Sequence, residues 1–360
     1  MNKELFFIIP DLKVGGAQKV LYFLINFLVR KKFKIKILVF DSKKNVKFKF
    51  LPGVKIISLN SYKESKNFFQ KIFYNFIRIR RIRSEIKKNK SSTIISFLST
   101  ANILTLISSL GLKRKIMVNE RNDPHNEKIP YIWKFLRFFL YNFASKIIKN
   151  IPDKKFNQKF FFLKKKIVFI PNPLMLSEVN LKLKKKRILL SVARLTYQKN
   201  INLLIQSFAK SNAIKKGWKL IVLGKGPEEY VLKKKCRELQ ISKYVIFKGF
   251  VKNISYWYKK AAIFVLSSRY EGMPNALIES MYFKSAVIGA SIPGVKYFIK
   301  NKYNGLIFKN NKEEELTKCI NYLIKNNKKR TQFSMNAYNC LKKRAKAEVF
   351  YKSWINLLND

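Results

Sequence analysis

Short apolar runs alternate with longer amphipathic segments along the first half of the chain. The runs "LFFIIP", "IKILVFD", "TIISFLS" and "KIMVNE" have the length and continuous apolar character of buried strands. Segments such as "AQKVLYFLINFLVRK" lie between them, with apolar residues at helical spacing. Strands that are apolar on both faces and alternate with helices are typical of a parallel sheet covered on both sides. The pattern therefore predicts an α/β fold with a doubly wound sheet.

The alternation pauses at Pro171 and Pro173 and then begins again. The second series contains the strand-like runs "RILLSVARL", "WKLIVLGKG", "YVIFKGF", "IFVLSS" and "SAVIGA". We therefore predict one domain over residues 1–174, a second over 175–344, and a C-terminal helix over 345–360 that crosses back to the first domain. Ligands are expected in a central cleft, at the carboxyl ends of the strands.

The stretch from Ser91 to Leu112 carries no charge and is long enough to span a bilayer. It also contains Asn102 and many serines and threonines, which suit a buried strand followed by a helix in a globular core. We favour the second interpretation. The first apolar run is short and ends at Asp11, so no secretory signal is predicted.

Composition adds a strong positive charge. The 360 residues are 48% hydrophobic, enough for two cores, and 76 Lys and Arg against 20 Asp and Glu give a formal charge of +56. AT-rich codon usage accounts for part of the lysine excess. Attraction to an anionic membrane surface is a second explanation. Nucleic acid is ranked last and is not expected as a partner, because no nucleic-acid-binding motif accompanies the charge.

Cysteine and histidine are scarce. The widely spaced Cys236, Cys319 and Cys340 indicate neither a disulfide framework nor a zinc site, so a reducing, cytoplasmic compartment is expected. The single histidine, His125, leaves little room for a His-based metal site or a Ser-His-Asp triad. No metal site is predicted.

Glycine pairs follow two of the predicted strands. Gly15 and Gly16 precede a helix, where free N–H groups and bare backbone suit an anion. Gly224 and Gly226 follow a strand of the second series, with Pro227 at the expected helix start. At both places a plain tight turn competes with a ligand-binding loop.

Charged residues follow two further strands. Arg194 and Lys199 lie on the loop after "RILLSV", where a guanidinium and an ammonium suit a diphosphate, although solvated surface cations are the alternative. In "SSRYEGMPNALIESM", Glu271 lies on a loop and Glu279 about one turn inside a helix, on the face of Asn275. Carboxylates there can accept hydrogen bonds from vicinal hydroxyls. Together these groups suit a nucleoside diphosphate sugar.

The order of these motifs resembles the retaining glycosyltransferases of family 4, which have the GT-B fold of two Rossmann-like domains facing a cleft. The resemblance covers nearly the whole chain and is densest from Arg187 to Phe308. It implies transfer of a hexose or N-acetylhexosamine from a UDP-sugar to a glycan or lipid-linked acceptor in cell-surface polysaccharide synthesis, without a metal or other cofactor. The matching segments are "GGAQKV", "IPNPL", "SVARLTYQKN", "VLGKGP", "FKGFVKNISYWYKKA", "SSRYEGMPNALIESM" and "YNGLIF".

The resemblance also implies residue roles. Arg194 and Lys199 would neutralise the departing diphosphate, Glu271 would hold the donor sugar, and Glu279 the ribose. Further donor contacts are implied for Gly15, Gly16, Gly224, Phe250, Val251, Gly272, Met273, Pro274 and Asn275.

Two segments depart from the family pattern. Many members carry a histidine near the acceptor, where this chain reads "NERNDPHNE", so Glu120, Arg121 or His125 takes that place. After the "PGG"-type loop, Lys296 and Tyr297 stand where an acidic residue is common, which leaves the fine donor contacts open.

A basic aromatic segment over residues 66–90 is helical in spacing. Phe69, Ile72, Phe73 and Phe76 share a face, and Arg78, Arg80, Arg81 and Arg83 crowd the later turns. Such a helix suits an anionic membrane surface or a lipid diphosphate, and a packing helix with a solvated basic face is the alternative. We expect a cytoplasmic protein, peripheral on the inner face of the membrane.

Other function classes fit less well. A GT-B UDP-sugar epimerase should carry more acid and base groups than His125 supplies. A non-catalytic nucleic-acid-binding protein should lose affinity steeply with salt. Glycoside hydrolysis by Glu271 and Glu279 conflicts with their expected roles in hydroxyl binding.

Overall fold

The N-terminal sheet is built from the apolar runs of the first series. The computed structural model describes residues 3–13, 15–61, 68–89, 93–123, 126–127, 129–152, 156, 158, 160–174 and 184–359. The strands of the first sheet are β1 (Glu4–Ile9), β2 (Lys34–Val39), β3 (Val54–Ser58), β4 (Thr93–Phe97), β5 (Ile116–Glu120), β6 (Lys146–Lys149) and β7 (Ile167–Phe169). Their order is β3-β2-β1-β4-β5-β6-β7, and all are parallel. Phe7 of β1 lies opposite Ile37 and Ile95.

Amphipathic helices cover this sheet. They are α1 (Gly16–Arg30), α2 (Phe68–Lys88), α3 (Ser99–Ser109) and α4 (Tyr131–Leu140). In α1, Val20, Leu24 and Leu28 repeat every four residues and are fully buried, as helical spacing requires. The strand and helix predicted for the uncharged stretch are confirmed as β4 and α3. None of the described helices combines the length and apolar character needed to cross a membrane.

The second sheet has six strands, in the same order as β3-β2-β1-β4-β5-β6 of the first sheet. Its strands are β8 (Lys186–Val192), β9 (Lys219–Leu223), β10 (Val245–Gly249), β11 (Ala261–Leu266), β12 (Ala286–Ala290) and β13 (Leu306–Phe308). They are parallel and ordered β10-β9-β8-β11-β12-β13. Ile263 of β11 lies opposite Leu189 and Ala286. The predicted doubly wound α/β architecture is therefore confirmed in both halves of the chain.

One of the helices around the second sheet was not predicted from the apolar pattern. They are α5 (Ile201–Lys210), α6 (Glu229–Glu238), α7 (Ile254–Lys260), α8 (Asn275–Tyr282), α9 (Pro293–Phe298), α10 (Glu313–Lys325) and α11 (Asn327–Arg344); the last helix of the chain is α12 (Ala347–Asn359). The helix α11 was not predicted as an element. It buries Phe333, Ala337 and Leu341, a four-residue spacing that marks one helical face among many polar residues.

By their internal contacts, the residues form two compact units: Met1–Asn172 with Phe350–Asp360, and Pro173–Val349. Within the first unit, the aromatic side chains of α12 pack against the N-terminal fold. Tyr351 stacks on Phe27 with ring centroids 4.0 Å apart, and the buried Trp354 lies parallel to Phe97 at 6.3 Å. Burial of these large rings holds the C-terminal helix on the first unit.

Candidate active site

The second sheet has a switch point between β8 and β11. The connection from β8 leads outward to β9 on one side, whereas β11 and β12 lie on the other. In doubly wound sheets, the crevice at such a point, outside the carboxyl ends of the strands, receives the ligand. Arg194 and Lys199 follow β8, and Glu271 follows β11, so the strand order places all three at this point.

Lys199 and Glu271 are in direct contact. The Lys199 ammonium donates a hydrogen bond to Glu271 Oε1, and Ser268 Oγ donates to the same oxygen at 2.8 Å. Both charged side chains are largely buried. The structure therefore joins a predicted diphosphate cation to the carboxylate predicted to hold the sugar.

The loops that carry these two residues are bonded along their length. Ser267 Oγ donates to the Lys199 carbonyl at 2.9 Å. Gln198 Nε2 donates to the Tyr270 carbonyl at 2.9 Å, and the Arg269 amide donates to the Gln198 carbonyl at 2.8 Å. This arrangement fixes the position of Lys199 before any ligand arrives.

Arg194 lies at the same strand edge with an exposed side chain. Its backbone is held by the neighbouring strand end, because the amides of Ala193 and Leu195 donate to the carbonyls of Leu223 and Lys225, both at 3.0 Å. A guanidinium on a fixed backbone with a free path to solvent is available to an incoming anion.

Gly224 and Gly226 allow two loops to touch. A Cβ on Gly224, which has φ +123°, would lie 2.0 Å from the Ala193 carbonyl oxygen. A Cβ on Gly226 would lie 2.2 Å from the Leu195 carbonyl oxygen. These glycines are thus needed for backbone packing beneath Arg194. The helix that follows starts at Glu229, just after Pro227, which the plain-turn alternative placed at the helix start.

The segment from Glu271 to Pro274 is buried and leads into α8. Gly294 permits this packing, since a Cβ there would lie 2.0 Å from the Gly272 oxygen. Met273 is part of the same buried turn, and Asn275 is the first residue of α8.

Glu279 is not a surface charge. It lies one turn into α8, as predicted, and only 7% of it is exposed. The buried Tyr258 faces it: burial and the nearby Glu279 carboxylate raise the pKa of Tyr258. An ionised carboxylate accepts hydrogen bonds at both of its oxygens, so Glu279 can accept from the hydroxyls of a sugar.

Phe250 and Val251 follow β10, two strands away from β8. Phe250 is 66% exposed, a large fraction for an aromatic side chain. The Gly224 amide donates to the Gly249 carbonyl at 2.8 Å, so the loop after β10 is tied to the loop after β9. An exposed ring at this edge is available to stack on a flat ligand group.

In the first unit, the glycine pair caps α1. Gly15 is the extended N-cap residue, and Gly16 begins the helix at the carboxyl edge of β1. Asp11 stabilises the turn, because Asp11 Oδ1 accepts from the Lys13 amide and from Gln18 Nε2, both at 3.0 Å. The N–H groups of a helix start are therefore directed toward this edge of the sheet.

Glu120 is the centre of a buried polar cluster. It accepts a hydrogen bond from the Tyr141 hydroxyl. Ser99 Oγ lies 3.2 Å from Glu120 Oε2 and 2.7 Å from Glu127 Oε2, so it bridges the two carboxylates. Arg137 Nη1 lies 3.4 Å from Glu127 Oε2 and 4.0 Å from Glu120 Oε1.

The residues around Glu120 were not predicted from the sequence. A lone arginine within the apolar segment "YIWKFLRFFLYNF" was the available signal for Arg137. Burial and the Glu120 charge raise the pKa of Glu127, and the same two causes raise the pKa of Tyr141. The cluster is an internal network of the first unit.

Arg121, the next residue, has a different environment. It is buried, its Nη1 donates to Asn172 Oδ1 at 2.5 Å, and its guanidinium lies over the Phe97 ring at 5.2 Å. His125, the third residue predicted for the acceptor side, lies outside the described residues.

Comparison with known proteins identifies the class of enzyme. Residues 176–340, which hold Arg194, Lys199, Glu271 and Glu279, match the family model described as Glycosyl transferases group 1. This segment of the chain is similar to the group 1 glycosyltransferases. The chain is a glycosyltransferase, as the order of the sequence motifs implied.

Two curated relatives from Campylobacter jejuni cover nearly the whole glycosyltransferase. One is named "GalNAc-alpha-(1->4)-GalNAc-alpha-(1->3)-diNAcBac-PP-undecaprenol alpha-1,4-N-acetyl-D-galactosaminyltransferase"; it is 29% identical over 340 residues, 93% of this chain and 92% of its own. The other is named "N-acetylgalactosamine-N,N'-diacetylbacillosaminyl-diphospho-undecaprenol 4-alpha-N-acetylgalactosaminyltransferase"; it is 27% identical over 366 residues, 96% of this chain and 95% of its own.

Solved structures show the same fold. TarM matches with a TM-score of 0.80 and 14% identity, covering 100% of this chain and 99% of its own. HepE of Anabaena, solved with UDP and glucose, matches with a TM-score of 0.78 and 16% identity, covering 99% of each chain. The GT-B fold predicted for this glycosyltransferase is thereby confirmed.

The arginines of the basic aromatic helix differ from the prediction. Within the predicted span, the described helix α2 covers Phe68–Lys88. Arg78 donates to the Ser61 carbonyl at 2.7 Å and Arg81 to the Leu59 carbonyl at 2.6 Å. Arg83 donates to the carbonyls of Ser108 and Leu110 at 3.0 and 2.7 Å. These three arginines fasten α2 to neighbouring segments, so they are not a free basic face, as the membrane hypothesis assumed.

Proposed function

We propose that this glycosyltransferase moves a hexose or N-acetylhexosamine from a UDP-sugar to a lipid-linked glycan, with retention of anomeric configuration, during assembly of a surface glycan. The observation that carries the proposal is the contact between Lys199 and Glu271 at the switch point, beside Arg194. A cation for the leaving diphosphate and a carboxylate for sugar hydroxyls stand side by side there. A ligand in which a sugar is joined to a diphosphate would meet these two groups together.

Each part of the donor has a matching group in the second unit. Arg194 and Lys199 would bind the diphosphate. The buried Glu279 would accept hydrogen bonds from the ribose diol, and the exposed Phe250, with Val251, would flank the base. In the first unit, Gly16 at the start of α1 presents N–H groups at the carboxyl edge of β1, where an anion can bind.

The reaction breaks the bond between the anomeric carbon and the phosphate oxygen, and the electron pair leaves with UDP. The acceptor hydroxyl attacks from the same face, and its proton passes to the departing diphosphate. Arg194 and Lys199 stabilise the charge that develops on that diphosphate, an electrostatic effect that is strongest where the donors are fixed in advance. In this proposal cationic side chains serve where other enzymes use a metal ion.

The relatives support the acceptor class. The two Campylobacter jejuni proteins are named for acceptors joined to undecaprenol through a diphosphate. HepE, which shares the fold, was solved with UDP and glucose, which supports a UDP-linked donor. The proposed acceptor is accordingly a glycan on a polyprenyl diphosphate.

A membrane-bound acceptor requires a surface that meets lipid. The helices α2 and α4 both pack on α3, and both expose large apolar side chains. We propose that they rest on the anionic inner face of the cell membrane, with lysines of this highly basic chain attracting the lipid headgroups. The exposed residues are Ile72, Phe73, Phe76, Tyr131, Ile132, Phe135 and Phe139.

The function is tested with a panel of UDP-, GDP- and ADP-sugars, with and without a prenyl-diphosphate-linked N-acetylhexosamine. We expect release of UDP from a UDP-sugar, slowly without the acceptor and faster with it. The anomeric coupling constant of the product should show the configuration of the donor, and a chelator should leave the rate unchanged. Turnover of GDP- or ADP-sugars alone would contradict the donor assignment, and an inverted product would contradict retention.

A further inference from the structure

Arg121 is a buried guanidinium with unused donors. Only 6% of the residue is exposed, yet among the described residues neither Nε nor Nη2 has a hydrogen-bond partner. Nη1 alone is engaged, with Asn172 Oδ1. Burying N–H groups of a cation without acceptors costs free energy, so such groups are rare unless a ligand completes them.

The missing partner is a negative charge. Burial lowers the pKa of Arg121 to about 9. Arg137 in the same unit is just as buried, but Glu127 and Glu120 lie 3.4 and 4.0 Å from its Nη1. Among the described residues, Arg137 is thus compensated by carboxylates, whereas Arg121 contacts an amide and an aromatic ring.

Arg121 lies at a sheet edge where ligand-binding residues are expected. It follows the carboxyl end of β5, and its guanidinium lies over Phe97, the last residue of β4. Leu98 has φ +78°, and α3 starts at Ser99 without a side-chain cap. A left-handed non-glycine residue and an uncapped helix start at one strand edge are features that favour an anion.

Glu120 is committed elsewhere. Its carboxylate is bonded by Tyr141 and Ser99 and faces Arg137. Among the described residues predicted for the acceptor side, Arg121 alone therefore has hydrogen-bonding capacity to spare.

We propose that Arg121 is the anion-binding group of the first unit and takes a diphosphate oxyanion of a substrate. Nε–H and Nη2–H lie on the same edge of a guanidinium, and this pair forms the two parallel bonds that arginine makes to phosphate. The proposal rests on the proposed function and deepens it. The diphosphate has two sources, the lipid-linked acceptor and the nucleotide donor, which separate probes distinguish.

The experiment measures binding to Arg121→Met, Arg121→Lys and wild type by calorimetry. The probes are farnesyl diphosphate in detergent micelles, for the acceptor, and UDP, for the donor. We expect Arg121→Met to lose affinity for one of them by about ten- to a hundredfold, the usual effect of hydrogen bonds to a charged group. Arg121→Lys should lose less, because it keeps the charge but not the paired geometry. The probe that is affected identifies the source.

Arg83→Met is the matched control. Its guanidinium donates to two backbone carbonyls, so its loss should lower the melting temperature and leave both affinities unchanged. Arg121→Met, in contrast, should melt at or above the wild-type temperature without ligand, because it removes an uncompensated buried charge. The inference would be overturned if Arg121→Met and Arg121→Lys both bind the two probes with wild-type affinity. It would also be overturned if Arg121→Met melts at a lower temperature than wild type while Arg121→Lys binds both probes as wild type does.

Failure of the proposed function has a separate signature. Wild-type protein that binds neither probe would overturn both proposals. If wild type binds UDP and Lys199→Met binds it more weakly, the proposed donor site is supported. If the Arg121 variants then bind both probes as wild type does, only the proposed role of Arg121 is overturned.

Discussion

Lys199 donates a hydrogen bond to Glu271 Oε1, although the two residues are 72 positions apart in the chain. Adjacent parallel strands β8 and β11 bring them together, and Ser268 holds the same oxygen from the loop after β11. The contact directs the ammonium before a ligand binds. Preorganised charge of this kind stabilises a transition state without the cost of reorienting groups during the reaction.

Replacing Lys199 or Arg194 with alanine should lower turnover by about a hundred- to a thousandfold. Removing one preorganised electrostatic group typically costs about 3–4 kcal/mol in the transition state. The measurement is UDP release from the best donor at saturating concentration. Lys234→Ala is the control, because that lysine is exposed on α6. Full activity in both site variants would remove the diphosphate assignment.

Glu279→Gln should weaken UDP binding and affect turnover less. The amide keeps the shape of the side chain but loses the charge that strengthens hydrogen bonds from the ribose hydroxyls, an effect of about 1–2 kcal/mol. Calorimetric titration with UDP provides the test. Glu229→Gln is the control, since Glu229 pairs with Lys233 on the surface of α6. Equal affinity in wild type and Glu279→Gln would refute the ribose role.

Gly224→Ala should unfold at a lower denaturant concentration and displace the loop that carries Arg194. The new Cβ would lie 2.0 Å from the Ala193 oxygen, and φ is +123°. Strain of this kind costs about 1–3 kcal/mol, and the backbone clash adds to it. Gly217→Ala is the control: it has φ +70°, but its nearest neighbour is the flexible end of Arg187 at 3.7 Å. If Gly224→Ala and Gly217→Ala lose the same amount of stability, the close contact between Gly224 and the Ala193 carbonyl does not contribute to folding.

The stability of Glu127→Gln relative to wild type should increase as the pH rises from about 4.5 toward neutrality. Burial and Glu120 raise the pKa of Glu127, so the folded protein binds more protons than the unfolded chain above the ordinary value of 4.5. Stability contributed by this group therefore falls as the pH rises through that window.

Urea midpoints of both proteins at several pH values measure this difference, and glutamine cannot titrate. A difference that stays constant with pH would show that folding does not shift the pKa of Glu127, and one that shrinks with rising pH would show that folding lowers it.

Introducing aspartate at both Phe73 and Phe76 should weaken binding to phosphatidylglycerol vesicles by more than tenfold. Each of the two exposed rings is expected to bury apolar surface in the bilayer. Full burial of one such side chain stabilises the bound state by about 1.5–3 kcal/mol. Vesicle sedimentation measures the change, and circular dichroism checks the fold. Val231→Asp serves as the control, because Val231 is exposed on α6 of the second unit. If the double variant sediments like wild type, α2 does not meet the membrane.

Much of this architecture was predictable from periodicity. The strands are continuous apolar runs that are buried on both faces, and α1 and α5 are amphipathic at helical spacing, so local pattern and tertiary role agree. The helix α11 was missed because few apolar residues mark its buried face. Burial of α11 depends on packing against α8, α9 and β12, which a single sequence segment does not reveal.

The residue types of the donor site were also predictable, because Arg194, Lys199, Glu271 and Glu279 stand at strand and helix ends that the pattern defines. Their environments were not. Whether Glu279 is a surface charge or a buried carboxylate depends on Tyr258 and β11, which lie earlier in the chain.

By itself, the sequence determined the alternation of strands and helices and the chemistry available at each strand end, because both depend on residues close together in the chain. Only the tertiary structure decided which charges are satisfied. It paired Lys199 with Glu271 and enclosed Glu120 among Tyr141, Ser99 and Arg137. Within the part of the chain that the structure describes, it left the buried Arg121 with unused donors. The reason is physical: burial and hydrogen bonding depend on partners that folding brings together from distant positions.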